Sequence, residues 1–122
     1  MSLNVAIIGA SHKPERYAYK AQVMLMENGH TVFPVSNNGR DILGKTGYRS
    51  IKDLPLPIDT VTLYVNPERH EAIKEELVAL KPRRIIFNPG TESHTLEKLY
   101  QSHGIHTEQA CTLVLLSTNQ FE

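Results

Sequence analysis

The fold of this protein is decided by a stretch near its start that reads Val5-Ala6-Ile7-Ile8-Gly9-Ala10-Ser11. The first four of these residues form an unbroken apolar run, which is typical of a strand buried on both faces of a sheet. The run ends at Gly9, where a glycine allows the backbone to turn sharply. An amphipathic pattern over about residues 16–28 follows and ends at Asn28-Gly29. This stretch therefore predicts a strand, a tight turn and a helix, which is the first half of a βαβ unit.

The same alternation of apolar and helical segments continues along the chain. Periodicity predicts strands at Thr31–Val35, Asp59–Val65, Arg84–Asn88 and, at an edge, Ile105–Glu108, and helices over about Asn66–Leu80 and Thr91–His103. Between Ser36 and Pro57 we predict a loop, with an extended piece near Tyr48 and a helical turn around Ser50 to Leu54. Cys111–Leu116 fits a strand or a helical turn. The pattern predicts a single three-layer α/β domain over residues 1–122, Rossmann-like, with a mainly parallel sheet.

Composition excludes several function classes. The chain has 122 residues, of which 40% are apolar, and no apolar run approaches the roughly 18 residues of a membrane span. Lys plus Arg equals Asp plus Glu at 13 each, so no global charge favours nucleic acid or a membrane surface. Cys111 is a lone cysteine, which rules out an internal disulfide, and no leader pattern precedes the first strand. We expect a cytoplasmic protein in which any anion site is local.

Topology locates the candidate site. In an open parallel sheet, ligands bind beyond the carboxyl ends of the strands, near the point where the strand order reverses. The loops that follow the first four predicted strands should therefore line one crevice. They are Gly9–Arg16, Ser36–Arg40, Asn66–Pro67 and Asn88–Thr91.

The first of these loops is the strongest candidate for binding phosphate. Gly9 lets the backbone approach an anion, Ser11 adds a hydroxyl, and the helix that follows presents free N–H groups. Lys13 and Arg16 contribute full positive charges. The alternative, which stays open at this point, is that the loop is only a polar turn between a strand and a helix.

A dinucleotide of the NAD type fits this loop poorly. The motif G-x-G-x-x-G would require glycines where Ser11 and Pro14 stand. The acid that would bind a ribose hydroxyl is also missing, because Val35 is followed by serine and asparagine. An NAD(P)- or other nucleotide-dependent enzyme, or a redox sensor, remains the alternative function.

Several short pieces carry a resemblance to a known family. They are Val5–Ser11 with Lys13-Pro14, Val32–Val35 leading to Ile42-Leu43-Gly44, Tyr48–Ile51 before Leu54-Pro55, Asp59–Val61, Val65–Pro67 and Asn88–Glu92. In order and spacing they resemble the small CoA-binding proteins whose fold matches the N-terminal, CoA-binding domain of the succinyl-CoA synthetase alpha subunit. The likeness covers nearly the whole chain.

The resemblance implies a binding role for each matched position. It implies that the CoA phosphates contact Gly9, Ala10, Ser11, Lys13 and Arg16, and that Pro34, Val35 and Ser36 lie near the adenosine. It implies that Val65, Asn66 and Pro67 line the crevice floor, with Asn88, Pro89, Gly90 and Thr91 towards the pantetheine. Such proteins often have a lysine where this chain has Asn38, so Arg40 is the nearest cation for the adenosine 3′-phosphate.

The resemblance also implies what to expect of catalytic activity and of protein partners. The phosphorylated histidine of the synthetase lies outside the matched domain, so the resemblance transfers no catalytic residue. We therefore expect binding of coenzyme A or an acyl-CoA without catalysis of its own. A second copy of the chain and a separate partner enzyme both remain open as protein partners.

The remaining reactive side chains favour structural roles. The six histidines show no metal-ligand spacing, and we expect solvated or turn positions for them. We expect Cys111 to be a small buried residue rather than a partner of a thiol cofactor. Lys81, Arg83 and Arg84 are expected to offset the dipole at the end of the second helix.

Overall fold

The computed structural model describes residues 2–55 and 57–122, so Met1 and Leu56, the latter within the predicted loop, lie outside the described residues. The strands are β1 (Asn4–Ile8), β2 (Thr31–Val35), β3 (Thr60–Leu63), β4 (Arg84–Phe87) and β5 (His106–Gln109). The α-helices are α1 (Tyr17–Glu27), α2 (Pro67–Leu80), α3 (His94–Ser102) and α4 (Thr112–Ser117), and a 3-10 turn lies at Ile51–Asp53. The predicted alternation of strands and helices is confirmed.

The strands form one sheet in the order β2-β1-β3-β4-β5, and every neighbouring pair is parallel. Ile7 of β1 lies between Pro34 of β2 and Thr62 of β3. The chain first moves from β1 to β2 and then crosses to β3 on the other side, so the strand order reverses between β1 and β3. A crevice at the carboxyl ends of these two strands is the expected ligand position in this topology.

Helices cover both faces of the sheet, which confirms the predicted three-layer α/β architecture. The 3-10 turn, α2 and α3 cover a core that includes Ala6, Ile8, Leu63, Leu77, Phe87 and Tyr100. On the opposite face, α1 and α4 cover a core that includes Val5, Ile7, Leu25, Ile86, Leu116 and Phe121. Successive residues of β1 thus enter opposite cores. This is why the run from Val5 to Ile8 is apolar throughout.

Phe121 closes the core beneath α1 and α4. Only 2% of its surface is exposed, although it follows α4 in an irregular segment. The Arg84 guanidinium lies 4.6 Å from the centre of its ring, and the His30 ring lies 5.2 Å away. Two cationic or ionisable side chains thus pack against one aromatic ring.

The structure corrects the predicted start of the third helix and decides the conformation of the stretch from Cys111 to Leu116. Helix α3 begins at His94 rather than near Thr91, because Thr91 donates its hydroxyl to the Asn88 carbonyl at 2.7 Å and so forms a turn. Ser93 then caps the helix by accepting from the Leu96 amide at 3.3 Å. The stretch from Cys111 to Leu116, which fitted a strand or a helical turn, forms most of α4.

The expectation of solvated or turn positions was wrong for two histidines. His70 is fully buried, and its Nε2 lies 2.5 Å from the Tyr100 hydroxyl. Burial lowers the pKa of His70 to about 4. His30 is also buried, its Nδ1 accepts from the Leu3 amide at 3.0 Å, and burial lowers its pKa.

The dipole role was wrong for Arg84, which is 3% exposed and lies within β4. Its guanidinium donates to the Thr60 hydroxyl at 3.2 Å and to Glu108 at 3.2 Å. Arg83 instead pairs with Asp59 at 2.9 Å. Cys111, expected to be buried, is half-buried at the start of α4.

Candidate binding crevice at the carboxyl ends of the strands

The turn after β1 requires glycine. Gly9 has a φ of +90°, and a Cβ at this position would lie 2.7 Å from the Tyr64 carbonyl oxygen and 2.9 Å from Val65. The Gly9 and Ala10 amides both donate to the Val35 carbonyl, at 2.9 and 3.0 Å. The turn therefore joins the ends of β1, β2 and β3, and these two amides are not available to a ligand.

The next two residues have free donors. Within the part of the chain that the structure describes, the N–H groups of Ser11 and His12 have no acceptor. The Ser11 hydroxyl accepts from the Lys13 amide at 3.1 Å, and this hydrogen bond forms a local turn in the loop before α1. Helix α1 begins after Arg16 without a side-chain cap. Unpaired N–H groups at a helix start favour an anion.

Three adjoining clefts surround Gly9, with volumes of about 300, 350 and 290 Å³. The α1 cleft is lined by Gly9, Ser11, Lys13, Arg16, Tyr17, Ala18 and Tyr64. The central cleft is lined by Gly9, Ala10, Ser11, His12, Lys13, Ser36, Asn37, Asn38, Arg40, Ile42, Tyr64 and Arg69. The α2 cleft is lined by Ile8, Gly9, Val35, Ser36, Asn37, Arg49, Ser50, Ile51, Val65, Arg69, Ala72, Ile73 and Glu76. Since each cleft includes Gly9, together they form one crevice at the switch point.

The crevice collects cations that have no carboxylate partner. Among the described residues, Lys13, Arg16, Arg40, Arg49 and Arg69 form no ion pair. The α1 and central clefts contain no acidic residue, and the α2 cleft contains Glu76. Elsewhere, Arg83, Arg84 and Lys74 each pair with a carboxylate, while five lysines spread over the rest of the described surface show no ion pair. A chain of zero formal net charge thus has a local excess of positive charge at the strand ends.

The loop after β2 is held by side-chain hydrogen bonds. Asn38 accepts from the Ser36 hydroxyl and from the Arg40 amide, both at 3.0 Å. The Arg40 guanidinium lies 2.9 Å from His12 Nε2, which accepts. Further along, the buried Gln22 of α1 donates to the Ile42 carbonyl at 3.0 Å. These contacts place Arg40 beside the turn after β1.

The loop after β4 is anchored by buried hydrogen bonds of Asn88. Asn88 is 2% exposed; its Nδ2 donates to the Thr62 hydroxyl at 2.7 Å and to the Leu63 carbonyl at 2.9 Å. Its Oδ1 accepts from the Thr112 amide at 2.9 Å. Thr91 is buried, whereas Pro89 and Gly90 are exposed. Asn88 therefore connects β3, β4 and the start of α4, and its side chain has no donor left for a ligand.

The structure brings most of the predicted residues together. Those that line the three clefts are Gly9, Ala10, Ser11, Lys13, Arg16, Val35, Ser36, Arg40 and Val65. Those that do not line them are Pro34, Asn66, Pro67, Asn88, Pro89, Gly90 and Thr91. Pro34 is buried in β2, and Asn66 caps α2 by accepting from the Arg69 amide at 2.8 Å.

Sequence reasoning missed several crevice residues, among them Tyr64, Arg49 and Arg69. Tyr64 is half-buried at the end of β3, and burial raises the pKa of its hydroxyl. Arg69 lies in the first turn of α2, where a helix that follows a parallel strand begins beside the crevice. The sequence could have indicated Arg69, since its neighbours Asn66 and Pro67 already predicted a helix start beside the crevice.

A larger depression of about 560 Å³ lies between the 3-10 turn and α2. Its charged residues are Lys52, Glu75 and Glu76, so acids outnumber cations. It is therefore poorly suited to an anionic ligand. No helix in residues 2–55 and 57–122 is long and apolar enough to cross a membrane, and these residues contain no group of three metal-binding side chains.

Known proteins with similar sequences include an uncharacterized protein and a subunit of an acetate–CoA ligase. An uncharacterized protein of Bacillus subtilis, YneT, is 26% identical over 77 residues, which are 63% of this chain and 57% of that protein. The alpha subunit of an ADP-forming acetate–CoA ligase II from Pyrococcus furiosus is 32% identical over 62 residues, which are 50% of this chain. The match spans only 14% of that subunit.

Similarity over the full length is found among solved structures. The crystal structure of an uncharacterized protein shares 39% identity, with a TM-score of 0.92 over 99% of both chains. The sequence of residues 4–117 matches the family described as the CoA binding domain. That match covers both faces of the sheet and all three clefts around Gly9. The chain therefore belongs to the CoA-binding domain family.

Proposed function

We propose that this protein binds coenzyme A or an acyl-CoA in the crevice around Gly9. The observation that carries the proposal is the group of unpaired cations, Lys13, Arg16, Arg40, Arg49 and Arg69, beside free backbone N–H groups at the switch point of the sheet. CoA carries several phosphate charges on one ligand, and unpaired cations with oriented amides are the groups that bind phosphate. Membership of the CoA-binding domain family supports the same ligand.

The turn after β1 supplies the phosphate donors in this proposal. The N–H groups of Ser11 and His12 and the ammonium of Lys13 contact the diphosphate, while Arg16 adds charge at the start of α1. The role of Gly9 and Ala10 is to shape the turn, since their amides already donate to Val35. The backbone of residues 34–36 lies beside the adenosine, and Val65 faces the pantetheine in the α2 cleft.

We further propose that the chain binds without catalysing a reaction of its own. The imidazole groups, which are suited to proton transfer, are engaged within the protein: His70 contacts Tyr100 and lines none of the three clefts, and His12 in the central cleft contacts Arg40. The acetate–CoA ligase subunit has most of its length outside the match. Its activity therefore gives no direct expectation for this chain.

Titration calorimetry with CoA, acetyl-CoA and NAD tests the proposal. We expect both CoA compounds to bind and NAD to bind at least about 10-fold more weakly. Lys13→Met should weaken CoA binding about 10-fold, because a charge-assisted hydrogen bond contributes about 1.5 kcal/mol or more. The control, Lys98→Met, removes an exposed lysine of α3 that lines none of the clefts and should leave affinity unchanged. Absence of heat with either CoA compound at millimolar concentration would refute the proposal.

A further inference from the structure

We propose that His30 is the pH-sensitive element of a latch that closes the core beneath α1 and α4. The latch consists of residues 118–122, called the tail below, which follow α4, and of the segment before β1. Both meet His30 at the amino ends of the strands, away from the crevice, because His30 directly precedes β2. The neutral ring keeps the latch closed, and a proton on the ring opens it. The inference is independent of the proposed function.

The His30 ring is held in one protonation state by its contacts. Its Nδ1 accepts from the Leu3 amide at 3.0 Å, so this nitrogen carries no proton. In a neutral ring the proton is then on Nε2, which lies 3.5 Å from the Glu122 carboxylate. The side chain of His30 is 1% exposed, so no solvent separates it from these neighbours. One neutral imidazole thus joins the segment before β1 to the tail.

Phe121 is the apolar part of the latch. Its side chain is buried, although its neighbour Gln120 is exposed. The ring of Phe121 packs against His30 on one contact and against the Arg84 guanidinium on another. The Gln120 amide donates to the Leu115 carbonyl at 2.8 Å and so ties the tail to α4. A cleft of about 220 Å³ lies between the end of α1 and the tail, so the packing around the tail is incomplete.

A second proton on the ring is incompatible with these contacts. It would place an N–H opposite the Leu3 N–H, which breaks that hydrogen bond, and it would put a buried cation near Arg84. Burial has the largest effect and lowers the pKa of His30 from its ordinary value of 6.5. Among the charges around the ring, Glu122 and Asp59 favour its protonation, whereas Arg84 and the α-amino group of the chain oppose it.

The direction of the pH effect follows from the two states of the latch. Opening exposes the ring and returns its pKa to the ordinary value, so the open latch binds a proton more readily than the closed latch does. Above about pH 6.5 both states are neutral, and opening does not depend on pH. Below this pH the open fraction increases by up to about 10-fold per pH unit, until the lowered pKa of the closed state is reached. The latch is therefore closed at neutral pH and opens in acid.

Hydrogen exchange followed by NMR measures the open fraction through the protection factors of the Leu3 and Gln120 amides. Between about pH 6.5 and about pH 5.5, both should fall together by up to about 10-fold in the wild type. His30→Gln cannot titrate and should abolish this fall at Gln120, whose amide does not contact residue 30. His103→Gln replaces an exposed histidine and should retain the fall. If protection at Gln120 falls equally in His30→Gln and in the wild type, the inference is overturned.

A second variant tests the coupling from the side of the tail and leaves His30 in place. Gln120→Pro removes the N–H that donates to Leu115 without changing a core side chain. The tail should then open, so the pH at which the His30 ring titrates, followed by its NMR signals, should move up towards 6.5. Gln120→Ala keeps the N–H and should titrate as the wild type does. An unchanged titration of His30 in Gln120→Pro would show that the tail and the ring are not coupled and would overturn the inference.

Discussion

Buried His70 should make the stability of the protein depend on pH. The side chain is fully buried between α2 and α3, its Nε2 contacts the Tyr100 hydroxyl, and its Nδ1 has no hydrogen-bond partner within the described chain. A proton on both nitrogens would place a charge in the core, where the Glu71 carboxylate offsets only part of the desolvation cost. Burial therefore lowers the pKa of His70 from an ordinary value of 6.5 to about 4.

The size of the effect follows from this difference in pKa. Between these two pH values the unfolded chain binds a proton at His70 that the folded chain does not. The free energy of unfolding therefore keeps its full value above about pH 6.5 and decreases as the pH falls towards 4. The linkage relation gives a loss of about 2 kcal/mol between about pH 7 and about pH 5 from His70 alone. Ordinary carboxylates contribute little in this window, since they titrate lower.

Urea unfolding of wild-type protein and of His70→Gln, at about pH 7 and about pH 5, measures the effect. Glutamine does not titrate, so the variant should lose about 2 kcal/mol less than the wild type on acidification, whatever its stability at neutral pH. Contributions from His30 and the carboxylates are common to both proteins and cancel. His103→Gln replaces an exposed histidine and should behave as the wild type does. If His70→Gln and wild type lose stability equally, the assignment of a buried neutral histidine is wrong.

Three further predictions concern the crevice and its supports. Gly9→Ala should cost about 3 kcal/mol of stability, because the Cβ meets the Tyr64 backbone, while Gly104→Ala, with a φ of +79° and open space, should cost about 1 kcal/mol in the same urea assay. Asn88→Ala should cost about 2 to 4 kcal/mol, because it leaves the Leu63 carbonyl and the Thr112 amide without their buried partner; unchanged thermal unfolding would contradict this. Raising the salt concentration about 10-fold should weaken CoA binding about 10-fold or more, and salt-independent affinity in calorimetry would contradict a site built on unpaired cations.

The sequence predicted those features that depend on local pattern. The buried strand before Gly9 and the helix predicted over about Asn66–Leu80 each depend on neighbours in the chain, and the structure confirms them. The roles assigned to the four loops depended on more distant contacts. Asn88 follows its strand as a ligand-binding residue would, yet its amide is used by β3 and α4.

Arg69 and His70 show the same limit in adjacent positions. Both lie on a helix whose pattern looks amphipathic, and nothing local distinguishes them. Only the arrangement of the sheet directs Arg69 towards the loop after β2 and His70 towards Tyr100 of α3. Such long-range pairs cannot be read from spacing, because they depend on which strands become neighbours.

The position of Phe121 has a consequence for synthesis of the protein on the ribosome. One core is complete once the chain has been made as far as Ile105, its last member. The core beneath α1 and α4 needs Phe121, which is made last of all its members. The nascent chain can therefore close one side of the sheet early, while the side that carries Val5 and Ile7 is covered only by α1 until α4 and Phe121 have left the exit tunnel. During that interval the half-covered sheet is the surface that a chaperone would recognise.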